Sequence, residues 1–208
     1  MARTRDPKLE ARRRRDLLDV TIGLLGEGAF HAVTQEKVAQ AAGVSKGVVT
    51  YYFPTKHDLL VSAIRRYHEQ VRDGLAAIVA NASLSTHDKL RLLIHAAFPS
   101  AESVEREVRF QSEVWSYAKD QPEAREAVVE SYRDFRDACA TLLDAGADEG
   151  LVKTKDREGT YRMIHALIDG LSFQLAVQPD LDLPELRAGL ERVILLLVSG
   201  AADPGARG

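Results

Sequence analysis

The chain has 208 residues, of which 45% are hydrophobic and 28% charged, and a formal net charge of −3. That composition is globular and excludes a disordered chain. The longest apolar run, 193–198, falls far short of the roughly 18 residues that cross a bilayer. The arginines near the N-terminus lead into no apolar stretch of the secretory kind. Cys139 stands alone and can form no internal disulfide, so the expected compartment is the reducing cytoplasm.

The charge is unevenly placed. Residues 1–56 hold ten Lys and Arg against six Asp and Glu, a net of +4, and the remainder carries −7. A basic head on an acidic body means that one end seeks polyanions and the other does not.

Apolar residues recur at helical spacing along almost the whole chain, and no alternating strand pattern is present. Leu9, Leu17, Val20, Leu24 and Leu25 predict the buried stripe of a first helix, with Gly26 and Gly28 as its left-handed end. Gly23, Gly26 and Gly28 do not make a phosphate loop, because no strand precedes them. Thr34 is the expected N-cap of a short helix, with Lys37 where a capping box would place Glu. Ala42-Gly43-Val44 reads as a turn, and Ser45 as the cap of a second short helix ending near Tyr52. Pro54 breaks the pattern, and Thr55 caps a long helix over 55–81. Further helices are expected over 86–99, 102–119, 122–148, 156–177 and 183–200, with Pro122 and Pro184 in first turns, where a missing N–H is harmless. A frayed tail covers 201–208.

The sharpest signal lies in residues 35–53. Ala39, Gly43 and Val49, flanked by Val38, Ala42, Val44 and Tyr52, meet the needs of a helix-turn-helix. A small residue lets two helices cross closely, a glycine makes the turn, and a β-branched side chain fills the hinge. Ser45, Lys46, Gly47, Val48, Thr50 and Tyr51 are then left to face a DNA groove. A structural helix corner would share the apolar positions but not the basic flank.

These residues resemble the tetracycline-repressor (TetR) family. The likeness rests on Thr34, on Ala42-Gly43-Val44-Ser45 followed by Gly47, on Tyr52-Phe53, and on Lys56 with Leu59-Leu60. Thr50 departs from the common pattern, which has a phosphate-contacting tyrosine there. In that respect the chain resembles the choline-responsive BetI-type branch, where a small hydroxyl residue precedes His or Tyr and then Tyr-Phe. A weaker likeness to that branch continues at 110–117, Pro122, 132–136 and 166–171. The resemblance implies phosphate contacts from Tyr51, Tyr52 and Lys56. Thr34 and the start of its helix add a further phosphate contact. Lys46 is the expected base reader, since lysine donates to guanine N7 and O6, while Val48 and Thr50 offer methyl groups to thymine. Arg12 to Arg15 either touch DNA or form a solvated helix face.

The last two expected helices are apolar nearly all round, which calls for burial on two sides. One side is this chain's core; the other is a twin subunit in a four-helix interface, or else more of the same core. The expected interface residues are Ala166, Leu167, Gly170, Leu171, Gln174, Leu190, Val193, Ile194 and Leu197. The clustered aromatics form either plain core or an effector pocket. As a pocket, Phe110, Trp115, Tyr117, Tyr132 and Phe135 with Glu113 would cage a cation, with His95, Gln111, His165 and Gln174 as polar neighbours. Glu113 would otherwise point to solvent or pair with Arg109. No catalytic motif or metal-ligand spacing is present among the six histidines, so no cofactor and no enzyme are expected.

The expectation is therefore an all-α protein. Residues 1–54 form a three-helix helix-turn-helix DNA-binding domain. Residues 55–200 form a larger helical ligand-binding and dimerisation domain, with 55–81 as the connecting helix. Its function is a homodimeric repressor released from a palindromic operator on double-stranded DNA by a small-molecule effector. The alternative is a dimeric DNA binder that takes no ligand or activates.

Overall fold

The computed structural model describes residues 6–28 and 30–200. Arg3, Arg5 and the predicted tail 201–208 lie outside the described residues. Among those described, nine α-helices follow in order. They are α1 (Pro7–Glu27), α2 (Gln35–Ala41), α3 (Lys46–Tyr52), α4 (Lys56–Val79), α5 (Thr86–Ala97), α6 (Ala101–Asp120), α7 (Pro122–Asp148), α8 (Arg157–Val177) and α9 (Leu183–Val198). A single 3-10 turn, Phe30–Ala32, sits between α1 and α2; the sequence pattern did not show it. The expected ends differ from the observed ones by two or three residues at most.

Polar caps set several of these starts. Asp6 accepts from the Lys8 N–H ahead of α1, and Thr34 from Lys37 ahead of α2. Thr55 and Asp58 exchange hydrogen bonds, each side chain taking the other's backbone N–H, which satisfies two of the free donors at the start of α4. Ser45 occupies the cap position of α3 but makes no side-chain capping bond.

Two expectations for α1 are corrected. Leu9 is exposed, because the ties of α1 to α4 begin only at Arg14, which reaches Ser62, and continue through Asp19 to Arg66 and Gln70. The buried stripe is instead Leu17, Leu18, Thr21 and Leu25. Gly26 lies inside the helix and Gly28 leaves it in an extended conformation, φ −160°, so no left-handed cap closes it.

The chain forms two compact units. The first joins the residues up to Val71 with Arg109–Ser131; the second joins Arg72–Val108 with Tyr132 onward. Helices α4, α6 and α7 each contribute to both. In the first unit Leu17, Leu25, Val38, Val49, Phe53 and Ile64 are buried in one core with Phe110 and Val114 of α6. In the second, Leu90, Phe98, Leu143, Ile164, Leu190 and Ile194 form another. At its edge the Arg187 guanidinium donates to the carbonyl oxygens of Phe98 and Pro99.

Candidate nucleic-acid interface

The reader is built outward from the α2–α3 crossing. Val38 and Val49 are fully buried and Ala39 nearly so, which leaves room for the two short helices to pack directly. The turn requires Gly43: its φ is +65°, a left-handed value that a side chain resists. The Val44 N–H closes the corner on the Ala39 carbonyl at 2.9 Å. Gln35 then ties the start of α2 to the end of α3 by donating to the Phe53 carbonyl at 2.6 Å. Arg14 lies over the Phe53 ring, 5.0 Å from its centre.

This packing decides which α3 side chains face solvent. Ser45, Lys46, Gly47, Thr50 and Tyr51 are exposed, Tyr51 by 54%. Val48 and Tyr52 are half-buried and pack against the core, so these two lean inward. Tyr51 stands edge-on to Tyr52 at 5.0 Å. The Thr50 hydroxyl donates to the Lys46 carbonyl one turn back, which satisfies the hydroxyl within the helix. A Cβ at Gly47 would meet only the Ser45 hydroxyl, at an ordinary 3.7 Å. The protein's own packing therefore does not demand a glycine there.

Basic side chains complete the face. Lys46 pairs with Glu36 across the corner. Lys56, half-buried at the head of α4, donates to the His31 carbonyl at 2.9 Å; burial, and secondarily Lys37, lowers its ammonium below the ordinary range. Arg12, Arg13 and Arg15 are exposed along α1. Sequence reasoning missed Glu36 and Gln35. A single acid in the first turn of α2, ten residues before a lysine in the first turn of α3, was the available signal for Glu36.

The expected effector residues are divided between the two units. Phe110, Glu113, Trp115 and Tyr117 belong to the first unit, and Tyr132 and Phe135 to the second. In the first, Glu113 accepts from the Phe30 N–H at 2.9 Å, and Phe30 packs tilted on Phe110 and Tyr117. Tyr117 also shares a 2.7 Å hydrogen bond with His57 in the first turn of α4. Trp115 packs against the same core. These residues therefore hold α6 onto the reader, and α4 is not the only helix that reaches it. In the second unit the rings of Tyr132, Phe135 and Tyr161 surround His165 at 4.9, 4.6 and 6.0 Å, with Asp169 one turn further along α8. Burial lowers the His165 imidazole and raises the Asp169 carboxyl, and the attraction between the two partly opposes both shifts. Cys139 is half-buried, and desolvation pushes its thiol up to about 12, which disfavours the thiolate at neutral pH.

Of the expected interface residues, Leu190 and Ile194 lie in the second unit's core, each 2% exposed. Leu167, Leu171 and Leu197 pack partly against it. Ala166, Gly170, Gln174 and Val193 face outward, along with Met163, Phe173, Val177 and Leu196.

Comparison with known proteins agrees with this arrangement. The profile of bacterial regulatory proteins of the tetR family matches residues 17–63, and that of the BetI-type transcriptional repressor C-terminal domain matches residues 86–198, more than half of the chain. The HTH-type transcriptional regulator BetI of Cronobacter sakazakii is 28% identical over 167 residues, 79% of this chain and 80% of that protein. BetI of Escherichia coli is 29% identical over 177 residues, 82% of this chain and 87% of its own. A transcriptional regulator from Saccharomonospora viridis, solved in complex with choline, superposes with a TM-score of 0.77 at 24% identity, covering 88% of this chain and 96% of its own. No helix among the described residues is long and apolar enough to cross a membrane. The chain thus belongs to the TetR family and is a helix-turn-helix transcriptional regulator with a BetI-type C-terminal domain.

Proposed function

We propose that this protein is a homodimeric repressor that grips a near-palindromic operator through α3 and lets go when a small cationic effector binds its second unit. It acts by binding and not by catalysis, in the cytoplasm. The observation that carries the DNA contact is the division of α3, with Val49 wholly buried and Lys46, Gly47, Thr50 and Tyr51 exposed together. Lys46 reads bases, with the Thr50 methyl beside it. Thr34, Ser45, Tyr51, Tyr52 and Lys56 position the backbone, Gly47 admits the duplex, and Val48 supports from its half-buried site.

Dimerisation rests on the outward apolar stripe of α8 and α9. Met163, Val177 and Leu196 are each more than half exposed, and a Cβ on Gly170 would meet nothing within 4 Å. A second copy covering that stripe sets two readers on one two-fold axis. For the effector, three aromatic rings and a carboxylate are the chemistry that holds a quaternary ammonium, which assigns Tyr132, Phe135 and Tyr161 with Asp169. The choline complex of the Saccharomonospora viridis regulator makes choline the first effector to test. Because α4, α6 and α7 run through both units, effector binding that shifts these helices reaches Phe30 and His57 at the reader's edge. A differential affinity of about 1–3 kcal/mol is enough for such a switch.

The test is selection of duplexes from a random pool by the purified protein, then gel shift of the winner with rising choline. Enrichment of an inverted repeat and its release by choline are expected. A protein that prefers no sequence fails as a DNA reader; one that prefers a sequence but ignores choline and other quaternary ammoniums fails only in the effector assignment.

A further inference from the structure

Glu36 is an acid set among the bases of the reader. It lies in the first turn of α2, and its Oε1 pairs with Nζ of Lys46, the first residue of α3, so the contact bridges the helix-turn-helix corner. The Lys46 ammonium foremost, then Glu36's own backbone N–H and the Thr34 hydroxyl, hold the Glu36 carboxyl below the ordinary carboxylate range. The carboxylate therefore holds Lys46, the donor that the DNA reading assigns to the bases. Both charged side chains are more than half exposed, 56% and 60%, so the pair adds little to stability. Its effect is on which charges the reader presents.

Carboxylate and phosphate offer the same thing to Lys46: anionic oxygens that accept charge-assisted hydrogen bonds. We propose that Glu36 is a specificity-determining residue whose carboxylate stands in for a DNA oxygen in the free protein, so that Lys46 is given up only to a duplex offering better acceptors. This rests on the reading of residues 35–53 as a DNA reader. On arbitrary sequence the offer is phosphate alone. One anion then replaces another, and Glu36 is left repelled by the backbone. On the operator, base-edge acceptors in the major groove receive Lys46 in a fixed register, and the exchange gains contacts that Glu36 cannot supply. The carboxylate thus lowers non-specific affinity more than specific affinity.

Binding of wild type, Glu36→Gln and Glu36→Ala to the duplex selected by wild type, and to a scrambled duplex of equal composition, tests this across a salt series. Matching thermal midpoints establish that the variants fold alike. Glu36→Gln is expected to tighten the scrambled duplex by about fivefold and the selected one by at most about twofold, so the specificity ratio falls. In a Lys46→Ala background most of that change should vanish, because the carboxylate then has no ammonium to hold. Unchanged or weaker scrambled-duplex binding overturns the proposal. So does equal tightening of both duplexes, which would make Glu36 a plain electrostatic brake. A wild type with no preference for any duplex removes the DNA-reading function and this inference with it.

Discussion

Helix α3 and the α8–α9 pair both present an open face to solvent, and the two faces are chemically opposite. The α3 face is a lysine, a glycine, a threonine and a tyrosine, each small, polar or capable of donating a hydrogen bond. The α8–α9 face carries Met163, Ala166, Gly170, Phe173 and Val177, then Val193 and Leu196. A surface that binds and releases a hydrated polyanion must remain tolerable to water between encounters. An apolar stripe of this length is tolerable only if it stays covered. The contrast teaches that exposure alone does not identify a partner; the chemistry of the exposed atoms does.

Several variants break or sharpen this contrast. The largest effect is expected at Phe53, which is buried beneath the reader with Arg14 over its ring. Phe53→Ala should cost about 3–5 kcal/mol of stability, read from denaturant midpoints. Its exposed neighbour Tyr51→Ala should cost less than about 0.5 kcal/mol while still weakening DNA binding.

On the apolar face, Val177→Glu with Leu196→Glu should yield a folded monomer in sedimentation velocity. Operator affinity should drop about a hundredfold, because two half-sites are then no longer held together. A soluble dimer from this variant would place the interface elsewhere. Leu190→Glu cannot serve this purpose, since Leu190 is core and its charge would unfold the second unit.

Next comes pH. The His68 imidazole is buried on α4 and pushed down to about 4, and its Nδ1 has no hydrogen-bond partner. Between its ordinary value of 6.5 and about 4, the unfolded chain takes up a proton that the folded chain refuses. Stability from this source is therefore complete above the upper value and is lost as pH falls toward the lower one. Near pH 4.5 the loss is about 2 kcal/mol. His68→Leu should flatten that part of the stability–pH curve, and an unchanged slope would assign the acid sensitivity to other groups.

The smallest effects concern the two lysines of the reader. Lys46→Ala should lose about tenfold in operator affinity and relax preference at one base position. Lys56→Ala should weaken all duplexes alike by a few-fold and lower the salt slope by about one. If Lys46→Ala leaves the relative affinities of operator variants untouched, Lys46 is not the base reader.

Trp115 shows where sequence reasoning about the effector ran out. Aromatic residues at 110, 115, 117, 132 and 135 look alike at helical spacing, and nothing local separates those that hold α6 to the reader from those that ring His165. Since Trp115 packs on the reader's core, Trp115→Ala should lower the stability of the first unit, read from its denaturant midpoint.

The sequence by itself determined the nine helices, because caps, prolines and apolar periodicity act within a few residues of one another. It also determined the α2–α3 corner: Ala39, Gly43 and Val49 have few alternatives at their spacing, and Gly43 does hold the left-handed turn. Only the tertiary structure decided that Leu190 and Ile194 are core while Leu196 is surface. A helix that is apolar all round carries no local mark of which side its own chain covers. The same holds for Glu113 on the Phe30 N–H, His57 on Tyr117, and Glu36 on Lys46. Each joins residues ten to more than eighty positions apart. Such pairs arise from how helices pack, and packing depends on the whole set of side chains at once.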